Sequence, residues 1–148
     1  MFVFGHSGLT IAAARKADPA VDPRLVAALA LGPDLLDKPL SRLAPHFVHH
    51  NTRSLGHSLI FSAVVFAGLL AWKKRPKTAL LLWACYAGHF LLDAMWTAPN
   101  PTVLFWPLLG AFPPPARGPL FDWPLLVNGL GELAGLAVVY PLLRQRFK

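Results

Sequence analysis

Long apolar runs alternate along this chain with short polar or proline-rich connectors. Leu55 to Trp72 is 18 residues with one ionisable side chain, His57. Thr78 to Trp96 is 19 residues with two, His89 and Asp93. Pro119 to Leu143 is 25 residues with two, Asp122 and Glu132. A helix needs about 20 mostly apolar residues to cross a bilayer, so the pattern predicts three membrane helices. Two shorter stretches come first: Met1 to Ala14, around Gly5-His6-Ser7-Gly8, and Arg24 to Leu36, with Asp34 near its end. At about 14 residues each they reach roughly 21 Å as helices, too short to span unaided. They read as a short hairpin lying against the longer helices. Two Asp-Pro pairs, Asp18-Pro19 and Asp22-Pro23, favour the turn between them.

The connectors are distinct in kind. Lys38 to Ser54 holds Pro39, Pro45 and the histidines His46, His49 and His50. Lys73-Lys74-Arg75-Pro76-Lys77 is a tight basic turn. Residues 97 to 118 hold six prolines and no acid. The apolar piece inside them, Val103 to Phe112, is ten residues and reads as interfacial or re-entrant rather than spanning. The fold class is therefore all-α: a polytopic membrane helical bundle of about five helical segments, forming one domain over residues 1 to 148. A signal peptide fits poorly, because the start has no basic region and Gly-His-Ser-Gly interrupts its apolar stretch.

Composition sharpens this. Hydrophobic residues make up 55% of the chain and charged residues 14%, well below the quarter usual for soluble domains. One cysteine, Cys85, excludes an intrachain disulfide framework or a zinc ribbon. The charge of +7 orients the bundle. Arg15, Lys16 and Arg24 flank the first turn; Lys73, Lys74, Arg75 and Lys77 form the second; Arg144, Arg146 and Lys148 end the chain. Those ten fall on one side, against Lys38, Arg42, Arg53 and Arg117 on the other. The positive-inside rule puts the ten in the cytoplasm. The basic excess thus has a topological cause, and nothing points to nucleic acid.

The ionisable residues inside the apolar runs share one level. His6 precedes the Arg15 turn by nine residues, and Asp34 follows Arg24 by ten. His57 precedes Lys73 by sixteen, and Asp93 follows Lys77 by sixteen. In antiparallel helices equal distance from a turn means equal height, so these residues point to one layer near the non-cytoplasmic face. His89 and Asp93 (i, i+4) share a helix face, as do Asp34 and Asp37 (i, i+3). Carboxylates and histidines in a membrane cost a few kcal/mol each and mark function. A divalent cation would offset that cost. Mixed His and Asp donors without Cys suit zinc in a hydrolytic site. The candidate ligands are His6, Asp34, Asp37, His57, His89 and Asp93, enough for one to three ions. Arg53, four residues before His57, could clamp a phosphate through its planar fork.

Three pieces carry a resemblance: Gly32-Pro33-Asp34-Leu35-Leu36-Asp37, Arg53-Ser54-Leu55-Gly56-His57-Ser58, and Gly88-His89-Phe90-Leu91-Leu92-Asp93 with Thr97 and Trp106-Pro107 after it. In that order, behind an early His6, they resemble the bacterial membrane-bound metal-dependent hydrolase family, the LexA-binding, inner-membrane-associated hydrolases. The His-x-x-x-Asp helix is also distantly similar to one in zinc-dependent phospholipase C. The resemblance covers about residues 1 to 110. It implies an inner-membrane hydrolase with the six ligands above, and with Arg53 and Asp37 in catalytic roles. The chain departs from the family pattern at Gly56, where Thr is common, and at Thr52, where His is common. The expected substrate is an ester or phosphoester of a lipid or lipid-linked molecule, with membrane lipids as partners.

Other features read as packing. Gly131 and Gly135 have the Gly-x-x-x-Gly spacing of close helix contacts, and Glu132 between them is a packing or proton site. Ser58 suits a helix cap. Trp72, Trp96 and Trp123 sit at span ends, where aromatic belts form. A non-enzymatic alternative, a metal or ion transporter or an adaptor, would need midplane polar groups and repeated halves, or no ligand cluster at all.

Overall fold

The computed structural model describes residues 3–97, 99–115 and 124–144. Among these the chain is all-helical. Its helices are α1 (Val3–Ala17), α2 (Pro23–Ala30), α3 (Gly32–Leu43), α4 (Pro45–Val48), α5 (Leu59–Lys73), α6 (Pro76–Leu92), α7 (Asn100–Leu104) and α8 (Leu125–Arg144), with a 3₁₀ turn at Leu55–His57 before α5. Met1, Arg117, Pro119, Asp122, Trp123, Arg146 and Lys148 lie outside the described residues.

Local chemistry sets the boundaries. Proline stands in the first turn of α2, α3, α4 and α6, where its missing N–H has no helical partner to lose. Asp22 caps α2 by accepting the Arg24 N–H at 2.9 Å. Ser58 is extended and its hydroxyl accepts the Phe61 N–H, so it caps α5 as the sequence suggests.

That cap also changes the expected elements. The predicted run from Leu55 begins as a 3₁₀ turn, and the α-helix starts only at Leu59, leaving α5 at 15 residues. Helix α6 has 17 residues and ends before Asp93, which is its C-cap rather than an internal residue. The stretch from Arg24 to Leu36 breaks at Leu31 into two helices. The five expected segments thus become eight helices among the described residues. One of them, α8, is long and apolar enough to cross a membrane, with 20 residues and a mean hydropathy of 1.5.

Helices α1 and α8 run parallel and very close. Ile11 and Ala14 of α1 share a cluster with Val138, Val139 and Leu142 of α8. Near the other end of α1, Gly8 lies against Gly135, and a Cβ on either glycine would enter the facing backbone. Glu132 seals this contact: its carboxylate accepts the Gly5 N–H at 2.8 Å and the Phe4 N–H at 3.1 Å. Glu132 is therefore a cap on the first turn of α1, where a negative charge meets the positive end of the helix dipole. Gly135 of the Gly-x-x-x-Gly pair forms the contact that its spacing suggests.

Helices α5 and α6 form an antiparallel hairpin. Val21 and Leu25 pack with Leu69, Ala79 and Leu82, so the α1–α2 turn sits level with the basic α5–α6 turn. Arg15, Lys16, Lys73 to Lys77 and Arg144 consequently gather at one end of the bundle. A third cluster, Val48, Tyr86, Phe90, Met95, Val103 and Phe112, packs the opposite end and supports the 3₁₀ turn and α7.

Candidate metal centre

His89, in the last turn of α6, is fully buried. Its Nδ1 lies 2.7 Å from the Ala30 carbonyl oxygen at the end of α2. A carbonyl only accepts, so Nδ1 carries the hydrogen and Nε2 presents a lone pair.

His57 ends the 3₁₀ turn and is equally buried. Its Nδ1 is 2.7 Å from Asp37 Oδ2. Asp37 also accepts the backbone N–H groups of Ser54 at 2.7 Å, Gly56 at 2.8 Å and His57 at 3.2 Å. Burial alone would raise the Asp37 carboxyl; the bond and charge of His57 and the Gly56 and Ser54 donors outweigh it and hold the group below the usual carboxylate range. An ionised Asp37 accepts only, so His57 Nδ1–H donates and its Nε2 is turned toward His89.

The two Nε2 atoms face each other at 3.1 Å. At that separation they share a proton or, in its place, serve one cation. Carboxylates complete the ring around them. Asp93 Oδ2 lies 3.6 Å from His89 Nε2 and 3.9 Å from His57 Nε2. Asp34 Oδ1 lies 3.9 Å from His89 Nε2 and 4.0 Å from His57 Nε2. Zinc bonds of about 2.0–2.2 Å in a tetrahedron imply donor separations of roughly 3.3–3.5 Å. The donors and the separations above therefore fit an ion shared by the two imidazoles after a small contraction.

His6 of α1 completes the layer. Its ring stacks on His89 with centroids 4.1 Å apart, and its Nε2 is 3.0 Å from Asp93 Oδ1. His6, His89 and Asp93 form one triad with ligand spacing; Asp34, His57 and His89 form another. His89 has only Nε2 to offer both, so the triads are two halves of one cluster.

Five of the six proposed ligands thus converge. Asp37 does not join them. Its oxygens are engaged by His57 and three backbone donors, so it stands one bond behind as the group that orients His57. Arg53 also differs from the expected free phosphate clamp. Its Nη2 and Nε lie 3.1 and 3.2 Å from Asp93 Oδ2, and Nη1 is 3.4 Å from Asn100 Oδ1. The fork closes on a carboxylate of the protein because that buried charge is within reach. The second oxygen of Asp34 pairs with Lys38 at 2.6 Å.

Sequence reasoning missed several supports. Asn100 sits between prolines in a connector with no other sign of function. The Ala30 carbonyl has no side-chain signature at all. Tyr86 donates to the Gly56 carbonyl at 2.5 Å and pins the 3₁₀ turn. Gly56 is needed there: a Cβ would stand 2.8 Å from the Pro33 carbonyl oxygen and 3.2 Å from Asp37 Oδ1. His46, His49 and His50 are exposed and belong to neither ligand triad, as expected of a solvated loop.

Asp37→Asn tests the orienting role. The amide would turn an N–H₂ toward a ring of donors in a buried site. The expected cost is about 2–3 kcal/mol in unfolding free energy, with metal affinity falling about 10- to 100-fold. Thermal unfolding and metal titration of the purified variant read both. Unchanged affinity would remove Asp37 from the centre.

The family model described as YdjM inner membrane protein matches residues 1–146. No curated protein and no solved structure matches the chain.

Proposed function

The chain belongs to the YdjM inner membrane protein family, and from that premise we propose that it is a membrane-embedded, metal-dependent hydrolase of esters or phosphoesters in lipid or lipid-linked substrates. The observation that carries the reading is the pair of facing imidazole Nε2 atoms, 3.1 Å apart, flanked by Asp34 and Asp93.

The bundle is polytopic in this reading, with α1, α5 and α6 joining α8 in the membrane. Only 11% of the apolar window of α8 is buried within the chain, which leaves most of it for lipid. Leu59, Ile60 and Val64 of α5 and Leu126, Leu130 and Leu133 of α8 are likewise exposed. The gathered basic residues face the cytoplasm, and the metal centre lies toward the opposite face.

His57, His89, Asp34 and Asp93 would hold the ion, zinc by its donor chemistry. His6 stands beside Asp93 for a second. A bound zinc ion supplies hydroxide near neutral pH by lowering the pKa of a water ligand. The chain's own residues do the rest. Asp37 and the Ala30 carbonyl lock the two imidazoles with Nε2 inward. Arg53 and Asn100 hold Asp93 in place, and Arg53 keeps a positive charge beside the centre.

Glu132 bears on the transporter alternative. Its position in the middle of an apolar run offers a proton or ion site, but its carboxylate is taken up as the cap of α1. The test is release of diglyceride, fatty acid or phosphate from a lipid panel, with chelation and zinc add-back. Zinc-dependent release is expected. A zinc-loaded chain that releases nothing but carries ions into liposomes would overturn the hydrolase reading in favour of transport.

A further inference from the structure

One groove stands apart from the cluster yet touches it. Lys38 and Arg42, one turn apart on α3, line an open cavity of about 330 Å³ with Pro39 and Leu43. Among the described residues no acidic partner faces Arg42. Lys38 Nζ lies 2.6 Å from Asp34 Oδ2, and the other oxygen of Asp34 is 3.9 Å from His89 Nε2. A single carboxylate therefore separates the groove from the metal centre. Leu43 in the groove wall is 83% exposed, and Leu35, one turn before Lys38 on α3, is 64% exposed.

We propose that this groove seats the phosphate of an anionic membrane phospholipid. Charge selects the ligand. Arg42, with Lys38 beside it sharing its charge with Asp34, presents a positive surface, whereas the cluster itself is lined by carboxylates and would not draw an anion from a distance. The guanidinium fork matches phosphate oxygens in two-point fashion, and Lys38 adds a point charge. Apolar side chains around a cationic pair fit the boundary where headgroup meets acyl chain: Leu35 and Leu43 lie along hydrocarbon, and the long stems of Lys38 and Arg42 lift their charges to the phosphate level. The groove then delivers a lipid phosphate beside Asp34. This names the substrate class of the hydrolase proposed above and rests on that reading for the word substrate. The binding itself needs no metal.

The test uses the full chain in neutral detergent, as purified and after chelation. Calorimetric titration compares short-chain phosphatidylglycerol, short-chain phosphatidylcholine and inorganic phosphate. Phosphatidylglycerol is expected to bind with and without metal, and more tightly than phosphatidylcholine. Arg42→Gln is expected to weaken it about fivefold and Lys38→Gln with Arg42→Gln about twentyfold, from roughly 1 kcal/mol per cation near a lipid surface. Arg42 is exposed, so its single variant keeps the fold and reads the proposal even if the double variant unfolds. Equal affinity for the two lipids, or an unchanged Arg42→Gln, would overturn it. Inorganic phosphate binding as tightly as the lipid would also overturn it, by assigning the groove to a free anion. Loss of binding only on chelation would place the lipid at the metal instead. Because the metal-free arm stands alone, failure of the hydrolase reading leaves this result readable.

Discussion

Replacing His57 or His89 with alanine is expected to abolish stoichiometric zinc in the purified protein. Each removes a fully buried imidazole whose Nε2 is already turned inward by a partner on Nδ1. Altering a supporting partner of a metal ligand costs 10- to 100-fold in affinity; losing the ligand itself should exceed about 100-fold. A stability signature accompanies this. An ion bound at 100 times its dissociation constant stabilises the folded state by about 2.7 kcal/mol, so chelation should lower the melting temperature of the unmodified protein. In His89→Ala that shift should vanish. Elemental analysis and thermal scans with and without chelator read both. A chain that purifies without metal, and whose melting is indifferent to chelator and to added zinc, would show that the two nitrogens share a proton instead.

The second large effect concerns α1 and α8. Gly135→Leu is expected to destabilise the protein by about 3 kcal/mol or more, at or above the upper end of overpacking costs. The reason is what the new side chain meets: the Phe4 carbonyl and the Gly5 nitrogen, which are backbone and cannot rotate away. Forcing α8 off α1 also breaks the Glu132 cap and shifts His6, one residue beyond Gly5. Metal retention should therefore fall along with stability. Gly129→Ala is the control on the same helix. Nothing lies within 4 Å of its added Cβ, so it should be neutral or slightly stabilising through better helix propensity. Equal melting temperatures for Gly135→Leu and Gly129→Ala would refute the close contact.

Much of the centre was legible in the chain because helices convert spacing into height and face. Equal distances from basic turns placed His57 level with Asp93, and the i, i+4 step put His89 beside it. The same rule failed for Asp37. It shares a face with Asp34, but the fold sets the 3₁₀ turn against it, and three backbone donors claim its oxygens. No periodicity announces those donors, since every residue carries one. Arg53 was misread for a related reason. Its fork suits any paired oxygens, and only the position of Asp93 decides which it takes. Glu132 stood out in the sequence as an ionisable residue amid an apolar run. Its partners, the first N–H groups of α1, lie 127 and 128 residues away.

By itself the sequence determined the helical class, the basic end of the bundle and the level at which histidines and carboxylates collect. These follow from patterns that repeat every few residues, and short-range geometry suffices to read them. Tertiary structure decided which nitrogen of each histidine faces the centre, which carboxylate joins it and which stands behind, and where two glycines let helices touch. Those outcomes depend on hydrogen bonds to backbone groups distant in sequence. A backbone carbonyl or N–H is chemically the same at almost every position, so only its place in space gives it a role.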